Sequence, residues 1–367
     1  MKSVIPSEVK EVMDAVHYRP AVSVILPFDP KWGTQAELQQ EIKYVFDKVE
    51  RRLADEYPAE LYKPVLKKLR HLTEDLKYVK GKKGMALYAS PVFEKLLFLD
   101  VPVESKILID ESFEIRDLVY SKKEEHHFLL FCLSSEHCKA FLGQNEELTS
   151  LHLESPDHLD AYWHKEPQRV ANFSDPEDYK EAQVEKFIRQ MDKELSHLLH
   201  THQLPLLVTG SKSILGVFKS VSHNTKHVSK FIEGNYEEAS IPELQVLVQP
   251  ALDDVRRAKE LQFLHMIEEA ANEKKLATGI QDVWHEVYQK NGRLLVVEKN
   301  FIAAGEHISD GIIAYKPTGE NNNFNQSHDV VDDAIELALK NGGDVAFVGE
   351  GMLTSYDHIA LIKFYPS

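Results

Sequence analysis

The segment best suited to binding a charged ligand is PLLVTGSKS, residues 205–213. An apolar, β-rich run ends at Gly210, and Ser211 and Lys212 then predict the start of a helix. The free N–H groups of a helix N-terminus can hold an anion. A nucleotide-binding P-loop needs glycine, four residues and then Gly-Lys-Ser or Gly-Lys-Thr, and this segment lacks that pattern. The segment therefore predicts a strand-to-helix turn that could bind an anion, against the simpler alternative of a purely structural turn.

A basic cluster follows in an otherwise acidic protein. The chain carries 43 Lys and Arg against 59 Asp and Glu, a net charge of −16. This balance excludes a general nucleic-acid coat but leaves room for a local surface that contacts phosphates. The candidate RNA-binding residues are Lys212, Lys219, Lys226 and Lys230, and His227 lies in the same stretch.

Metal binding is the chemistry that the 18 histidines would suggest. None of the dense groups gives the HExxH pattern or an equivalent set with nearby carboxylates. We therefore predict no metal site and no cofactor. The groups in question are His126, His127, His197, His200 and His202.

The cysteines and the hydropathy of the chain indicate in which cellular compartment the protein is expected. Cys132 and Cys138 lie six residues apart around a predicted hairpin, where a disulfide is one option and a reduced pair is favoured. No apolar run approaches the roughly 20 residues of a membrane helix. The sequence predicts a cytoplasmic protein with no membrane partner.

Residues 154–178 form a long polar stretch with three prolines. Connections of this length are usually functional or disordered. The stretch contains His164, Gln168 and Arg169, whose side chains could act on a substrate. The alternative interpretation is a mobile polar loop without a site.

The pattern of elements predicts an α/β protein of three domains. The boundaries that we predict are 1–121, 122–275 and 276–367. The first domain begins with a buried strand at 22–28, followed by two amphipathic helices separated by Pro58. Short β-rich runs follow, namely GMALYAS, EKLLFLDV, KILID and IRDLVY.

The middle and last domains also alternate strands and helices. HFLLFCL, CKAFLG and ELTSLHL predict a strand meander, and a helix is expected after Asp175. The last domain reads as helix, strand LLVV, helix VVDDAIELALKNGG, strand DVAFV and a closing strand HIALIKFY. We expect this closing strand to be buried.

The ordered set of motifs resembles a known family. The last domain is similar to the C-terminal domain of the archaeo-eukaryotic class-one release factors and of Pelota, which has the kink-turn-binding ribosomal-protein fold. LLFCLSSEHCKAFLG and PLLVTGSKSILGVFKS resemble their middle domain, which has a ribonuclease H-like α/β fold. VSVILPFDP and KKGMALYASPVFEKLLFLDVPV resemble the bacterial archaeo-eukaryotic release factor-like family.

The resemblance implies a catalytic loop that this sequence does not reproduce. Release factors carry Gly-Gly-Gln in a middle-domain loop, where the glutamine helps water attack the peptidyl-tRNA ester. The one double glycine here, Gly342–Gly343, precedes Asp344 in the last domain. The equivalent loop is 154–178, so Gln168, with Arg169 and His164, is the catalytic candidate that the resemblance implies.

The motifs and the resemblance leave three functions open. The leading hypothesis is a release-factor-like protein that engages the ribosome or tRNA in ribosome rescue or translational quality control, without standard Gly-Gly-Gln peptide release. The second is a hydrolase of a tRNA or nucleic-acid ester. The third is a non-catalytic protein-interaction scaffold, which the acidic balance favours.

Overall fold

The computed structural model describes residues 5–15, 19–28, 35–74, 76–77, 79, 81–154, 176–309, 312–316 and 329–366. Its helices are α1 Ser7–Met13, α2 Gln35–Glu56, α3 Ala59–Thr73, α4 Arg116–Lys123, α5 Pro176–His202, α6 Lys212–Val221, α7 Ile241–Asn272, α8 Gly279–Tyr288 and α9 Val330–Lys340.

Among the described residues, the strands fall into three main sheets and one two-stranded ribbon. They are β1 Ala21–Pro27, β2 Gly84–Ala89, β3 Glu94–Leu99, β4 Lys106–Asp110, β5 His127–Leu133, β6 Cys138–Gln144, β7 Glu147–Leu151, β8 Leu206–Gly210, β9 Val228–Glu233, β10 Leu276–Thr278, β11 Gly292–Glu298, β12 Ala304–Ser309, β13 Ile312–Lys316, β14 Asp344–Val348 and β15 Ile359–Lys363. The predicted α/β class is confirmed.

The chain divides into two compact units. One contains residues 1–124 and 257–367, and the other contains residues 125–256. The first and last segments of the chain therefore share one unit. The division into three domains at 121 and 275 stays a prediction.

The N-terminal sheet has the order β3-β2-β1-β4 and is antiparallel throughout. Because side chains alternate along a strand, β1 presents Val22 and Val24 to one face and Ile25 to the other. The first face packs against α2 and α3, as their apolar spacing predicts. The other face packs against α1, α4 and residues of the C-terminal segment.

The C-terminal sheet has the order β10-β15-β11-β14, in which β11 and β14 are parallel. One face packs against α8 and α9, and the other packs against Ile267 and Ala270 of α7. This arrangement is the predicted α/β sandwich. All five residues of β15 are buried, and β15 lies between β10 and β11, so the prediction of a buried closing strand is confirmed.

The sheet of the 125–256 unit has the order β7-β6-β5-β8-β9. Strands β5, β6 and β7 are antiparallel neighbours, whereas β5, β8 and β9 run parallel. A mixed sheet of this kind agrees with the α/β fold predicted for the middle domain. Apolar residues of α5 and α6 cover one face, and those of the first half of α7 cover the other.

The strand predicted for IRDLVY, residues 115–120, is wrong, because these residues form α4. Asp332 accepts hydrogen bonds from the backbone N–H groups of Ile115 (3.1 Å) and Arg116 (2.7 Å) and so caps the helix. Leu118 and Val119 are buried on its inner face. A cap from a carboxylate 217 residues away cannot be read from the local pattern.

A buried cluster of charges joins the two segments, 1–124 and 257–367, of the other unit. Arg116 is 1% exposed, forms a salt bridge with Asp329, and donates to the carbonyl of Phe301 at 2.6 Å. Asp329 also caps α9, because it accepts from Val331 N at 3.1 Å. Glu114 and Asp332 are buried beside this pair. The carboxylates outnumber the guanidinium, which disfavours full ionisation of the cluster.

The pKa values in the cluster follow from this shortage of positive charge. Burial, and then the charge of Asp329, raises the pKa of Glu114 to about 8. Burial, and then the charge of Glu114, raises the pKa of Asp332 well above its ordinary value. Burial lowers the pKa of Arg116, but the charges of Asp329 and Glu114 outweigh burial, and the net shift is upward. Arg116 therefore stays charged, and burial favours the protonated form of Glu114 below about pH 8.

Within the described ranges, none of the helices has the length and apolar character needed to cross a bilayer.

Candidate functional site

The predicted anion-binding turn is formed where β8 passes into α6. Gly210 ends the strand, and a Cβ atom there would lie 2.8 Å from the carbonyl oxygen of Leu133. Only glycine therefore fits without moving the neighbouring strand. Ser211 is the N-cap, and its hydroxyl accepts from Ile214 N at 3.4 Å. The turn is built as the sequence predicts, with Ser211 occupied in capping.

Helix α6 separates the lysines of the predicted RNA-binding set. Its buried stripe, which includes Leu215 and Phe218, fixes which side faces solvent. Lys212 is exposed in the first turn and Lys219 is exposed in the last turn. Seven residues at 1.5 Å each place them about 10 Å apart along the helix axis. The two ammonium groups thus belong to opposite ends of one exposed helix.

A polar network holds the loop that carries Lys226. Asp192 of α5 is 4% exposed and accepts from Ser222 Oγ, from His223 N at 2.8 Å and from Asn224 Nδ2 at 2.9 Å. Asn224 Nδ2 also donates to Ser196 Oγ at 2.7 Å. The short 3₁₀ helix Thr225–His227 follows at once. Lys226 is therefore exposed on a loop with a fixed backbone, a feature that the local sequence pattern does not reveal.

Lys219 and Lys230 lie against opposite faces of the edge strand β9. Lys219 Nζ is 4.3 Å from the ring centroid of Phe231, a cation–π contact on the α6 side. Lys230 forms an ion pair with Asp254 of α7, on the other side of the sheet. Asp254 neutralises much of the charge that Lys230 could offer to a phosphate.

The structure therefore does not gather the four lysines on one face. Lys219, Lys226 and Lys230 surround the end of α6 and the start of β9, whereas Lys212 lies at the other end of α6. Among the described residues, Lys212 and Lys226 are the two of the set whose ammonium groups make neither an ion pair nor a cation–π contact. These two are the best placed to meet an RNA phosphate.

The predicted catalytic residues His164, Gln168 and Arg169 lie outside the described residues. Their role stays a prediction.

The two cysteines of the 125–256 unit form no disulfide with each other, and they lie on opposite faces of its sheet. Cys132 packs on the α7 side, and Cys138 packs on the α5 and α6 side. The favoured reduced pair is thus confirmed, because side chains on opposite faces cannot be bridged. Burial raises the pKa of the Cys132 thiol to about 12, so this thiol is not a nucleophile at neutral pH.

The family comparison covers the unit just described. Residues 127–291 match the model of the bacterial archaeo-eukaryotic release factor family 3. This segment is release-factor-like. The match takes in the whole five-stranded sheet, both helices on its α6 side and all of α7, and it extends into the following sheet. The resemblance predicted from the order of the motifs is confirmed over these residues. No curated protein matches the chain.

Several solved structures are similar to this chain at low identity. Archaeoglobus fulgidus Pelota is 10% identical, with 77% of this chain and 80% of that chain covered and a TM-score of 0.38. S. cerevisiae Dom34, a translation termination-like factor, is 12% identical, with 80% and 77% covered and a TM-score of 0.38. A chain in a model of ribosome-bound archaeal Pelota and ABCE1 is 10% identical, with 100% and 96% covered and a TM-score of 0.40. At TM-scores below 0.5, the match over residues 127–291 is the finding that bears on function.

Proposed function

We propose that this chain is a release-factor-like protein that engages the ribosome or tRNA in ribosome rescue or translational quality control. The observation that carries the proposal is the family match over residues 127–291, which coincides with a ribonuclease H-like sheet. Release factors act in translation, and their substrate is an RNA ester. The ribosome or tRNA is accordingly the partner class for this chain.

The exposed lysines of the 125–256 unit support an RNA-facing role. Lys212 lies at the N-terminus of α6, where free backbone N–H groups add positive potential. Lys226 lies on the loop held by Asp192 and Asn224. A pre-ordered lysine loses less conformational entropy on contact with a phosphate than one on a loose loop. The binding proposed here is electrostatic and depends on salt.

The proposed activity does not use standard Gly-Gly-Gln peptide release, because the sequence lacks that tripeptide. Gln168, with Arg169 and His164, is the candidate for any residual ester hydrolysis. Incubation with peptidyl-tRNA, comparing the wild type with Gln168→Ala, tests this role. Equal rates of ester cleavage would remove Gln168 from the proposal.

Co-sedimentation with ribosomes over a salt series tests the main proposal. We expect the wild type to enter the ribosomal fraction at low salt and to leave it as salt rises. The double variant Lys212→Ala, Lys226→Ala should bind less tightly, with the slope of log K against log salt reduced by about 1 to 2. Lys63→Ala, Lys67→Ala removes the same charge from exposed positions of α3 and is the matched control.

Absence from the ribosomal fraction at every salt concentration would reject the proposal. Equal losses in the two double variants would instead reject the α6 and 222–227 region as the contact. Pull-down after nuclease treatment addresses the protein-interaction scaffold, whose partners would survive removal of RNA.

A further inference from the structure

The feature that the proposed function leaves unused is a group of three metal-ligating side chains in the 125–256 unit. Glu136 and His137 belong to the turn between β5 and β6, and Glu237 belongs to the loop after β9. One ligand atom from each lies within 4.8 Å of the other two. The sequence alone predicts no metal site, because the two segments are 100 residues apart and no spacing pattern connects them.

The backbone around these side chains is well fixed. Ser134 Oγ accepts from the N–H groups of Glu136 (3.1 Å) and His137 (2.7 Å), and Ser134 N donates to His137 O at 2.9 Å. Across the gap, Lys139 Nζ donates to the carbonyl of Glu237 at 2.6 Å. The ligand atoms are therefore carried on ordered turns, which is what a specific ion site requires.

A small cavity opens beside His137 and Glu237, two of the three residues, at the carboxyl ends of the parallel strands β5 and β8. Its walls include His137, Glu237, Thr209 and Cys132, and its volume of about 10 Å³ is room for about one water-sized sphere. The carboxyl ends of parallel strands are a usual place for ligands in α/β sheets. The size of the cavity limits its occupant to an ion or a water molecule.

An independent observation points to an occupant. Thr209 is 1% exposed, and among the described residues its hydroxyl has no hydrogen-bond partner. A buried hydroxyl without a partner costs free energy, which a metal-bound water in the same cavity would offset. The turn geometry of Glu136 and His137 does not explain this orphaned hydroxyl.

We propose that Glu136, His137 and Glu237 bind a divalent transition-metal ion of the zinc class. One imidazole and two carboxylates suit zinc better than magnesium, which prefers oxygen ligands and keeps its waters. Three protein ligands leave a fourth position for water, the partner that Thr209 lacks. The ion would tie the β5–β6 turn to the loop after β9.

The geometry needs only a small adjustment. His137 Nδ1 and Glu237 Oε1 are 2.5 Å apart and share a hydrogen bond. Two ligands at zinc distances of about 2.0–2.1 Å in a tetrahedral site lie roughly 3.3 Å apart. The side chains are 47% and 26% exposed, so they can separate by less than 1 Å without disturbing the core. Lys139 remains bonded to the Glu237 carbonyl, and the two carboxylates outnumber its charge.

Titration of the full chain with zinc chloride, after removal of metal by a chelator, tests the proposal. We expect the wild type to bind one ion more than His137→Ala or Glu237→Gln, or to bind that ion at least 10-fold more tightly. Thr209→Val, which removes the hydroxyl at nearly constant shape, should weaken zinc binding several-fold. Circular dichroism confirms that each variant is folded.

His265→Ala is the matched control, because His265 pairs with Glu269 on the exposed surface of α7. Its zinc binding should equal that of the wild type. Equal zinc binding in the wild type, His137→Ala and Glu237→Gln would overturn the proposal and leave the three residues as a surface hydrogen-bonding group. Magnesium chloride alone should not bind at this site, and equal affinity for magnesium would overturn the zinc-class assignment.

Discussion

Arg116 is the residue on which the buried charge cluster depends. Arg116 is 1% exposed, and its guanidinium compensates the negative charge of Asp329. Removing one partner of a buried pair leaves an uncompensated charge and typically costs about 3–5 kcal/mol. We expect Arg116→Met to lower the free energy of unfolding of its unit by about that amount, as measured by urea denaturation.

Arg70→Met is the control for this measurement, because Arg70 pairs with Glu50 on the surface of the same unit. An exposed pair contributes about 0–1 kcal/mol, so the control should unfold almost as the wild type does. Similar losses of unfolding free energy in the two variants would show that the buried pair contributes no more to stability than an exposed pair.

The raised pKa of Glu114 predicts that the free energy of unfolding falls as the pH rises. Its folded-state pKa, about 8, lies above the ordinary value of 4.5. The folded state then binds the proton more tightly, so the stabilising contribution is full below about pH 4.5 and is lost as the pH rises to about 8. Each pH unit in this window removes at most about 1.4 kcal/mol.

Glu114→Gln removes this titration and leaves the rest of the protein to respond as before. From pH 5.5 to pH 8.5, we expect the wild type to lose more unfolding free energy than the variant. Urea denaturation at the two pH values gives the comparison. Parallel pH profiles for the two proteins would contradict the raised pKa of Glu114.

The junction between β8 and α6 is the element on which the proposed RNA-facing surface is built. A Cβ atom on Gly210 would meet a backbone carbonyl at 2.8 Å, and a neighbouring strand cannot give way cheaply. We expect Gly210→Ala to destabilise its unit by about 1–3 kcal/mol in urea denaturation.

Helix α6 also contains a glycine, Gly216, at which an added methyl group has room. Gly216 lies within α6, and a Cβ atom there would meet nothing within 4 Å. Gly216→Ala should stabilise the unit by about 0.4–1 kcal/mol, because alanine loses less backbone entropy in a helix. If Gly210→Ala stabilised the unit as Gly216→Ala is expected to do, the steric argument for Gly210 would be wrong.

Whether an element can be predicted from the sequence depends on whether its cause is local. The apolar spacing of α2 and the Gly210–Ser211 junction are visible in adjacent residues, and the structure has both. Helix α4 could not be predicted because its cap is a distant carboxylate, Asp332. The network of Asp192 with Asn224 is hidden for the same reason, since it joins residues 32 apart.

The candidate sites differ in the same way. Lys212 and Lys226 could be named from charge alone, but the pairing of Lys230 with Asp254 depends on a helix packing against the far face of β9. Glu237 could not be linked to His137 without the sheet that brings the two loops together.

At the scale of the molecule, the first and last segments of the chain behave as one unit with one shared core. Leu361 of β15 is fully buried in that core. We expect Leu361→Ala to cost about 2–5 kcal/mol and to reduce the hydrogen-exchange protection of β1 amides, although β1 lies in the other segment.

Leu61→Ala is the control for this experiment, because Leu61 of α3 is 43% exposed. It should leave the protection of β1 nearly unchanged. Unchanged β1 protection in Leu361→Ala would show that the two segments unfold separately.

The contacts that close this core impose an order on biosynthesis. Ile115 and Arg116 receive their acceptor, Asp332, only after a further 217 and 216 residues have been added. Until then the part of this face of the N-terminal sheet that packs against the C-terminal segment stays uncovered, while residues 125–256 are translated. A nascent chain in this condition is a target for holdase chaperones, and slow translation of the last third would prolong its exposure to aggregation.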